Sequence, residues 1–231
     1  MIRQIQKRRA GSDAIPLVLF HDASGTISSY YGLGSLGRDV YAIADPQIGS
    51  DKHESLTSMS RRYYAAIKKI IPEGRILVGG WSLGGMIALQ VAWIFARDTR
   101  TEVVGVIMVD SPFPAYLGLL AIDLDSPTSE HGPDQARNQL EKAMLRTVNM
   151  LQDWRTPVWR QKQRPATVML CAKQCVACES QPALGLIDQF RDSPTLGWNE
   201  RAGSLIDKSY SIEGQHFDIF QSANVSAVSL T

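Results

Sequence analysis

The 231-residue chain is 44% hydrophobic and 20% charged, with a formal net charge of +1. That length and apolar content suffice for one well-buried core without a second domain, and the near-neutral balance gives no global electrostatic case for nucleic acid or an acidic membrane as partner. No apolar stretch reaches the roughly 18 residues of a spanning helix and no apolar segment follows the charged N-terminus, so a soluble, cytoplasmic protein is expected.

Arg3, Lys7, Arg8 and Arg9 open the chain and are expected to form a frayed, solvated terminus. Leu17-Val18-Leu19-Phe20 and Val40-Tyr41-Ala42-Ile43-Ala44 are apolar runs of strand type. From Ser60 to Ile71, Tyr63, Tyr64, Ile67 and Ile70 recur at helical spacing. Arg75-Ile76-Leu77-Val78-Gly79 is again strand-like, and it runs into Gly80-Trp81-Ser82-Leu83-Gly84 and then the helical Met86-Ile87-Ala88-Leu89-Gln90-Val91-Ala92. Strand, tight turn and helix present Ser82 above a sheet, with glycines letting strand and helix approach closely. The alternation of apolar runs with helical patterns predicts an α/β protein, a mostly parallel central sheet with helices on both faces.

A G-x-S-x-G turn in this context is the nucleophile elbow of α/β-hydrolases, in which an acid and then a histidine follow the serine along the chain. Val103 to Val109 is a continuous apolar strand that ends at Asp110, the predicted acid. The alternative role for Asp110 is to cap the Ser111-Pro112 turn, and the alternative acids one strand later are Glu179 and Asp188, after Ala166 to Ala172. Of the two histidines beyond Ser82, His131 lies in a breaker-rich loop. His216 follows the strand-like Ser209-Tyr210-Ser211-Ile212 and is the predicted general base. His21, at a strand end before the serine, is assigned a structural or loop role.

The interval from Pro112 to Arg164 breaks the alternation. It carries an amphipathic helix with Ala136, Leu140, Met144, Val148, Leu151 and Trp154 on one face, and it is read as a helical lid insertion at about 112–164. Phe113, Tyr116, Leu117 and Met144 are the candidate substrate-lining residues. Arg155, Arg160, Lys162 and Arg164 cluster near it as a solvated face or a patch for an acidic partner. Cys171, Cys175 and Cys178 are odd in number and clustered; no second pair or nearby histidine completes a tetrahedral zinc site for Cys175-Val176-Ala177-Cys178, so reduced thiols and no metal are expected.

Gly80-Trp81-Ser82-Leu83-Gly84-Gly85, Val109-Asp110-Ser111-Pro112 and Gly214-Gln215-His216-Phe217 together resemble the type I thioesterase domains of polyketide and nonribosomal peptide synthases. Leu19-Phe20-His21-Asp22-Ala23-Ser24-Gly25-Thr26 and Leu196-Gly197-Trp198-Asn199 make the likeness greatest to the thioesterase and Claisen-cyclase domains of fungal non-reducing polyketide synthases, over about Leu17 to Phe217. Two positions depart from that pattern: His21 stands where the family usually has proline, and Leu83 where a small residue is common. The resemblance implies an oxyanion hole made by the backbone N–H groups of Leu83 and Ala23. It implies a polyketide-type acyl thioester on the phosphopantetheine arm of an acyl carrier protein or synthase as substrate, with no bound cofactor. A Ser82 acyl-enzyme would then resolve by hydrolysis, lactonisation or Claisen cyclisation. A carboxylesterase with the same triad and an inactive binding module of the same fold are the competing readings.

Overall fold

A computed structural model of the chain describes residues 1–47, 54–114, 135–160, 164–176 and 187–221, with backbone alone for 135–141 and 144. Seven strands, β1 (Ile2–Gln6), β2 (Leu17–Phe20), β3 (Val40–Ile43), β4 (Gly74–Trp81), β5 (Thr101–Val109), β6 (Ala166–Ala172) and β7 (Lys208–Ile212), form one sheet. Their order is β1-β3-β2-β4-β5-β6-β7. Every neighbouring pair is parallel except β1 with β3.

Burial follows from this architecture. A parallel strand with both faces covered has no polar side, and all four residues of β2 are buried. Successive side chains alternate between two apolar clusters, Val18 and Phe20 in one, Leu17 and Leu19 in the other. The first cluster is covered by helices. α1 (Leu56–Ile70) starts at Ser55, whose hydroxyl accepts the Ser58 N–H at 3.2 Å, and it buries Leu56, Met59, Tyr63 and Ile67 at helical spacing. α2 (Leu83–Phe95) is buried along almost its whole length, which is why its sequence shows so little polar contrast. The second cluster is covered by the short 3-10 helix Ser28–Gly32, through Tyr30, and by Ile219 and Phe220.

The N-terminus is not frayed. β1 pairs with the free edge of β3, with a register irregularity between Gln4 and Gln6, and Ile2 packs on the first cluster and Ile5 on the second. Arg8 then reaches Asp39 at 3.3 Å. The basic residues of this segment flank two apolar anchors, and those anchors outweigh the entropy of fraying.

Within the interval predicted as a lid, α3 (Gln135–Leu151) buries Val148 and Leu151, and Trp154 follows its end. The Trp154 indole N–H donates to Gln90 Oε1 at 2.7 Å, and Arg146 pairs with the buried Asp45. The end of α3 is thereby docked on α2 and beside β3. Arg164, from the basic cluster, is held by Asp207 and the Leu205 carbonyl.

Candidate active site

Ser82 joins β4 to α2 at φ 55° and ψ −120°, a backbone conformation an L-residue adopts only under constraint. The constraints are visible on both sides. The Ser82 N–H donates to the Val109 carbonyl at 2.9 Å, extending the β4–β5 ladder past Trp81. A methyl group on Gly84 would lie 2.4 Å from the Phe20 carbonyl oxygen, and one on Gly80 2.5 Å from the Gly84 backbone. Only glycine lets α2 start this close to the ends of β2 and β4.

The structure brings the predicted acid and base to this serine. His216, in the loop after β7, places Nε2 3.1 Å from Ser82 Oγ and donates from Nδ1 to Asp110 Oδ2 at 2.8 Å. Asp110 follows β5 at φ 42°. Its N–H donates to the Leu170 carbonyl at 2.7 Å, and its Oδ1 accepts the Ala172 N–H at 2.8 Å. The carboxylate is fully buried, and burial alone would raise its pKa; the hydrogen bonds from His216 and Arg191 overcome this and hold it below the usual aspartate value. An ionised Asp110 accepts only, so it fixes the proton on His216 Nδ1 and leaves the Nε2 lone pair facing the serine hydroxyl. The Trp81 ring lies 5.2 Å from the imidazole and Phe217 meets it edge-on at 5.0 Å, walling it against reorientation.

Of the alternative acids, Asp188 accepts from Arg191 Nε at 2.8 Å and so touches the site through that arginine. Arg191 and Tyr30 were not expected from the sequence as parts of the site, and Asp188 only as an alternative acid. Arg191 sits 81 residues from Asp110 in a turn-rich segment without periodicity; an Asp three residues before an Arg was its only local trace.

The two predicted oxyanion donors lie at the start of α2 and in the turn after β2. Leu83 opens α2, so its N–H is among those a helix cannot pair internally. In the turn from Asp22 to Gly25, Ser24 N–H donates to Asp22 Oδ1 at 2.7 Å and Gly25 N–H to the Asp22 carbonyl at 3.0 Å. That leaves the Ala23 N–H outside the turn's own bonds. His21 lies beneath this turn. Its Nδ1–H donates to the Asp22 carbonyl at 2.7 Å and its Nε2 accepts the Tyr63 hydroxyl at 2.7 Å. Burial pushes the His21 pKa down and the Tyr63 pKa up, which keeps the imidazole neutral and the phenol protonated as that pair of bonds requires.

Among the candidate lining residues, Phe113 is half-buried, edge-on to Trp198 at 5.2 Å and Phe190 at 6.5 Å. Tyr116 and Leu117 lie outside the described residues, as does the Met144 side chain. Trp198 in turn donates from Nε1 to the Ser111 carbonyl at 2.7 Å, so the Leu196-Gly197-Trp198-Asn199 stretch braces the segment just after Asp110. Cys171 is buried beside Asp110, its thiol pushed up to about 12 by burial first and that carboxylate second. Cys175 is exposed, and Cys178, Glu179 and His131 fall outside the described residues. Among the described residues no group of three His, Cys, Asp or Glu side chains is placed to hold a metal ion. None of their helices is long and apolar enough to cross a membrane.

A serine at a strained strand–helix turn, hydrogen-bonded through histidine to a buried aspartate, is the working arrangement of a serine hydrolase. Comparisons with known proteins agree. The family model described as "Thioesterase domain" matches residues 15–229. A protein of Fusarium pseudograminearum (strain CS3096) named "Thioesterase" is 62% identical over 232 residues, spanning 100% of this chain and 92% of the relative. Among solved structures, the NocB thioesterase domain in covalent complex with a fluorophosphonate nocardicin G analog has a TM-score of 0.70 at 20% identity, covering 99% of this chain and 96% of that one. A four-domain nonribosomal peptide synthetase bound to AMP and glycine has a TM-score of 0.68 at 21% identity, covering 99% of this chain but 20% of that one. The two structures carry the fold, an α/β-hydrolase; the residue-level matches carry the family. The chain is a serine hydrolase that belongs to the thioesterase domain family.

Proposed function

We propose that this thioesterase releases a polyketide-type acyl chain from the phosphopantetheine arm of an acyl carrier protein or synthase through an ester on Ser82. The observation that carries the reading is the unbroken relay from Ser82 Oγ through His216 to Asp110. Ser82 Oγ attacks the thioester carbonyl while its proton passes to His216 Nε2, and Asp110 stabilises the imidazolium. The N–H groups of Leu83 and Ala23 receive the oxyanion. The carbon–sulfur bond breaks, the thiol departs with the proton from His216, and the acyl group stays on Ser82.

The second half follows from what enters next. Water deprotonated by His216 gives the free acid, a substrate hydroxyl gives a lactone or ester, and a substrate enolate carbon gives a Claisen ring. Hydrolysis asks least of the site and is placed first. Residues 112–164 would act as the lid that admits or excludes water, with α3 as its docked base. No bound cofactor is needed for these steps; phosphopantetheine arrives as part of the substrate.

Intact-protein mass spectrometry after incubation with acyl-loaded carrier protein tests the reading. Wild type is expected to show an acyl adduct that is absent in Ser82→Ala and slowed in His216→Ala and Asp110→Asn, the last by about 10⁴-fold in turnover. Turnover of p-nitrophenyl esters with no reaction at any carrier-bound thioester would instead place the chain among carboxylesterases. A wild type that forms no adduct with either substrate would be a binding module.

A further inference from the structure

The Asp110 carboxylate has a second clamp besides His216. Arg191 Nη1 donates to Asp110 Oδ1 at 2.5 Å and Nη2 to Oδ2 at 3.0 Å, the two-pronged pairing of guanidinium and carboxylate planes. Nη1 also donates to the Ala172 carbonyl at 3.1 Å, tying the same guanidinium to the end of β6. Asp188 takes the remaining side of the fork, from Nε at 2.8 Å and Nη2 at 2.6 Å. The Arg191 side chain is only 6% exposed. A cation so deeply buried is held for a purpose beyond solvation, since its desolvation is recovered only through fixed partners.

We infer that Arg191 is a positioning residue of this hydrolase: its fork fixes the plane of the Asp110 carboxylate so that Oδ2 stays aimed at His216 Nδ1. Ala172 N–H and His216 each hold one oxygen by a single hydrogen bond, which leaves the carboxylate plane some freedom to rock about its last bond. Two parallel hydrogen bonds from a planar group remove that freedom, and a lysine ammonium would supply the charge without the plane. Asp188 holds the fork as the fork holds Asp110. The inference rests on the relay of Ser82, His216 and Asp110 and not on the identity of the acyl substrate.

The test therefore uses the rate at which a fluorophosphonate probe labels Ser82 between pH 5 and 9, which needs the relay and no carrier. Facing Asp110 are His216 from the loop after β7, Arg191, and Cys171 from β6, with Asp188 behind the guanidinium; the Cys171 thiol stays neutral across this range. In Arg191→Gln the plateau rate is expected to fall 10- to 100-fold, and the acid limb of the profile to move to higher pH as the relay loses a positive charge beside it. Arg191→Lys restores the limb and leaves the plateau depressed. Asp188→Asn, which loosens the fork from behind, slows labelling less than tenfold.

Thermal melts separate folding from positioning, and Arg191→Lys serves as the folded variant if Arg191→Gln melts early. A folded Arg191→Gln with the wild-type rate and limb overturns the inference. So does a lowered plateau with the limb unmoved, since that pattern makes Arg191 scaffold alone. An unlabelled wild type overturns the relay and this inference together. A labelled wild type that turns over no carrier-bound thioester defeats only the proposed release reaction.

Discussion

The Tyr30 hydroxyl accepts the Trp81 N–H at 2.9 Å, one residue before the nucleophile. The same hydroxyl donates to the Phe20 carbonyl at 2.6 Å, two residues before the turn that carries Ala23. β2 and β4 pair as far as Phe20 opposite Gly80 and then diverge toward their separate tasks. Tyr30 supplies the next rung with a side chain, and burial pushes its pKa up, so the proton stays. Tyr30→Phe leaves a buried donor and a buried acceptor unpaired. At about 1–3 kcal/mol each, a loss of roughly 5–15 °C in Tm is expected by differential scanning fluorimetry. Labelling of Ser82 by a fluorophosphonate should slow as well, because both ends of the site drift apart; unchanged labelling would mean that the sheet alone sets their spacing.

The strain at Ser82 gives a stability signature. At φ 55° and ψ −120°, glycine is at ease and alanine is not. Ser82→Gly is expected to melt above Ser82→Ala by an amount corresponding to about 1–2 kcal/mol, although both are inert toward acyl thioesters. Equal melting temperatures would show that the elbow holds no strain at this residue.

Gly84→Ala tests the close approach of α2. Its Cβ would meet the Phe20 carbonyl oxygen at 2.4 Å and the His21 carbonyl oxygen at 2.9 Å, both backbone atoms that cannot rotate away. The expected cost is at the upper end of overpacking, about 3 kcal/mol, read as a lowered denaturant midpoint with an unchanged slope. Wild-type stability in this variant would show that the turn after β2 yields freely.

His21 makes stability depend on pH. The fold holds it neutral, with its pKa pushed below the usual 6.5 by burial. The unfolded chain takes up a proton near that ordinary value. Stability from this group is thus present above about pH 6.5 and is lost as pH falls toward the folded-state pKa, at up to about 1.4 kcal/mol per pH unit. The buried carboxylates Asp45 and Asp110 have lowered pKa values and lose their contribution only below about pH 4. Between pH 7 and 5 the melting temperature should fall in wild type and stay flatter in His21→Asn. Parallel slopes would assign the pH dependence elsewhere.

What the sequence made legible divides along physical lines. β2, β4, β5 and β6 are parallel strands inside the sheet, and such strands announce themselves as apolar runs, whereas β7, an exposed edge strand, shows only as a short strand-like run. Ser82, Asp110 and His216 sit next to those runs, so the strand ends located them. β1 was hidden because an edge strand with a phase irregularity shows neither alternation nor an apolar run. Its arginines read instead as a solvated leader. Arg191 and Tyr30 act through long-range side-chain hydrogen bonds, which leave no periodic trace. The choice between Asp110 and Asp188 turned on the same invisible contact: both carboxylates grip one guanidinium, and only Asp110 also reaches the imidazole.

The relay draws its three members from the ends of β4 and β5 and from the loop after β7, the last strand to join the sheet in chain order. The elbow and the acid belong to inner strands of the sheet, while the base hangs on its exposed edge strand. Until β7 docks beside β6, Ser82 is an ordinary alcohol. Opening of that edge alone would therefore silence the serine while leaving the elbow intact.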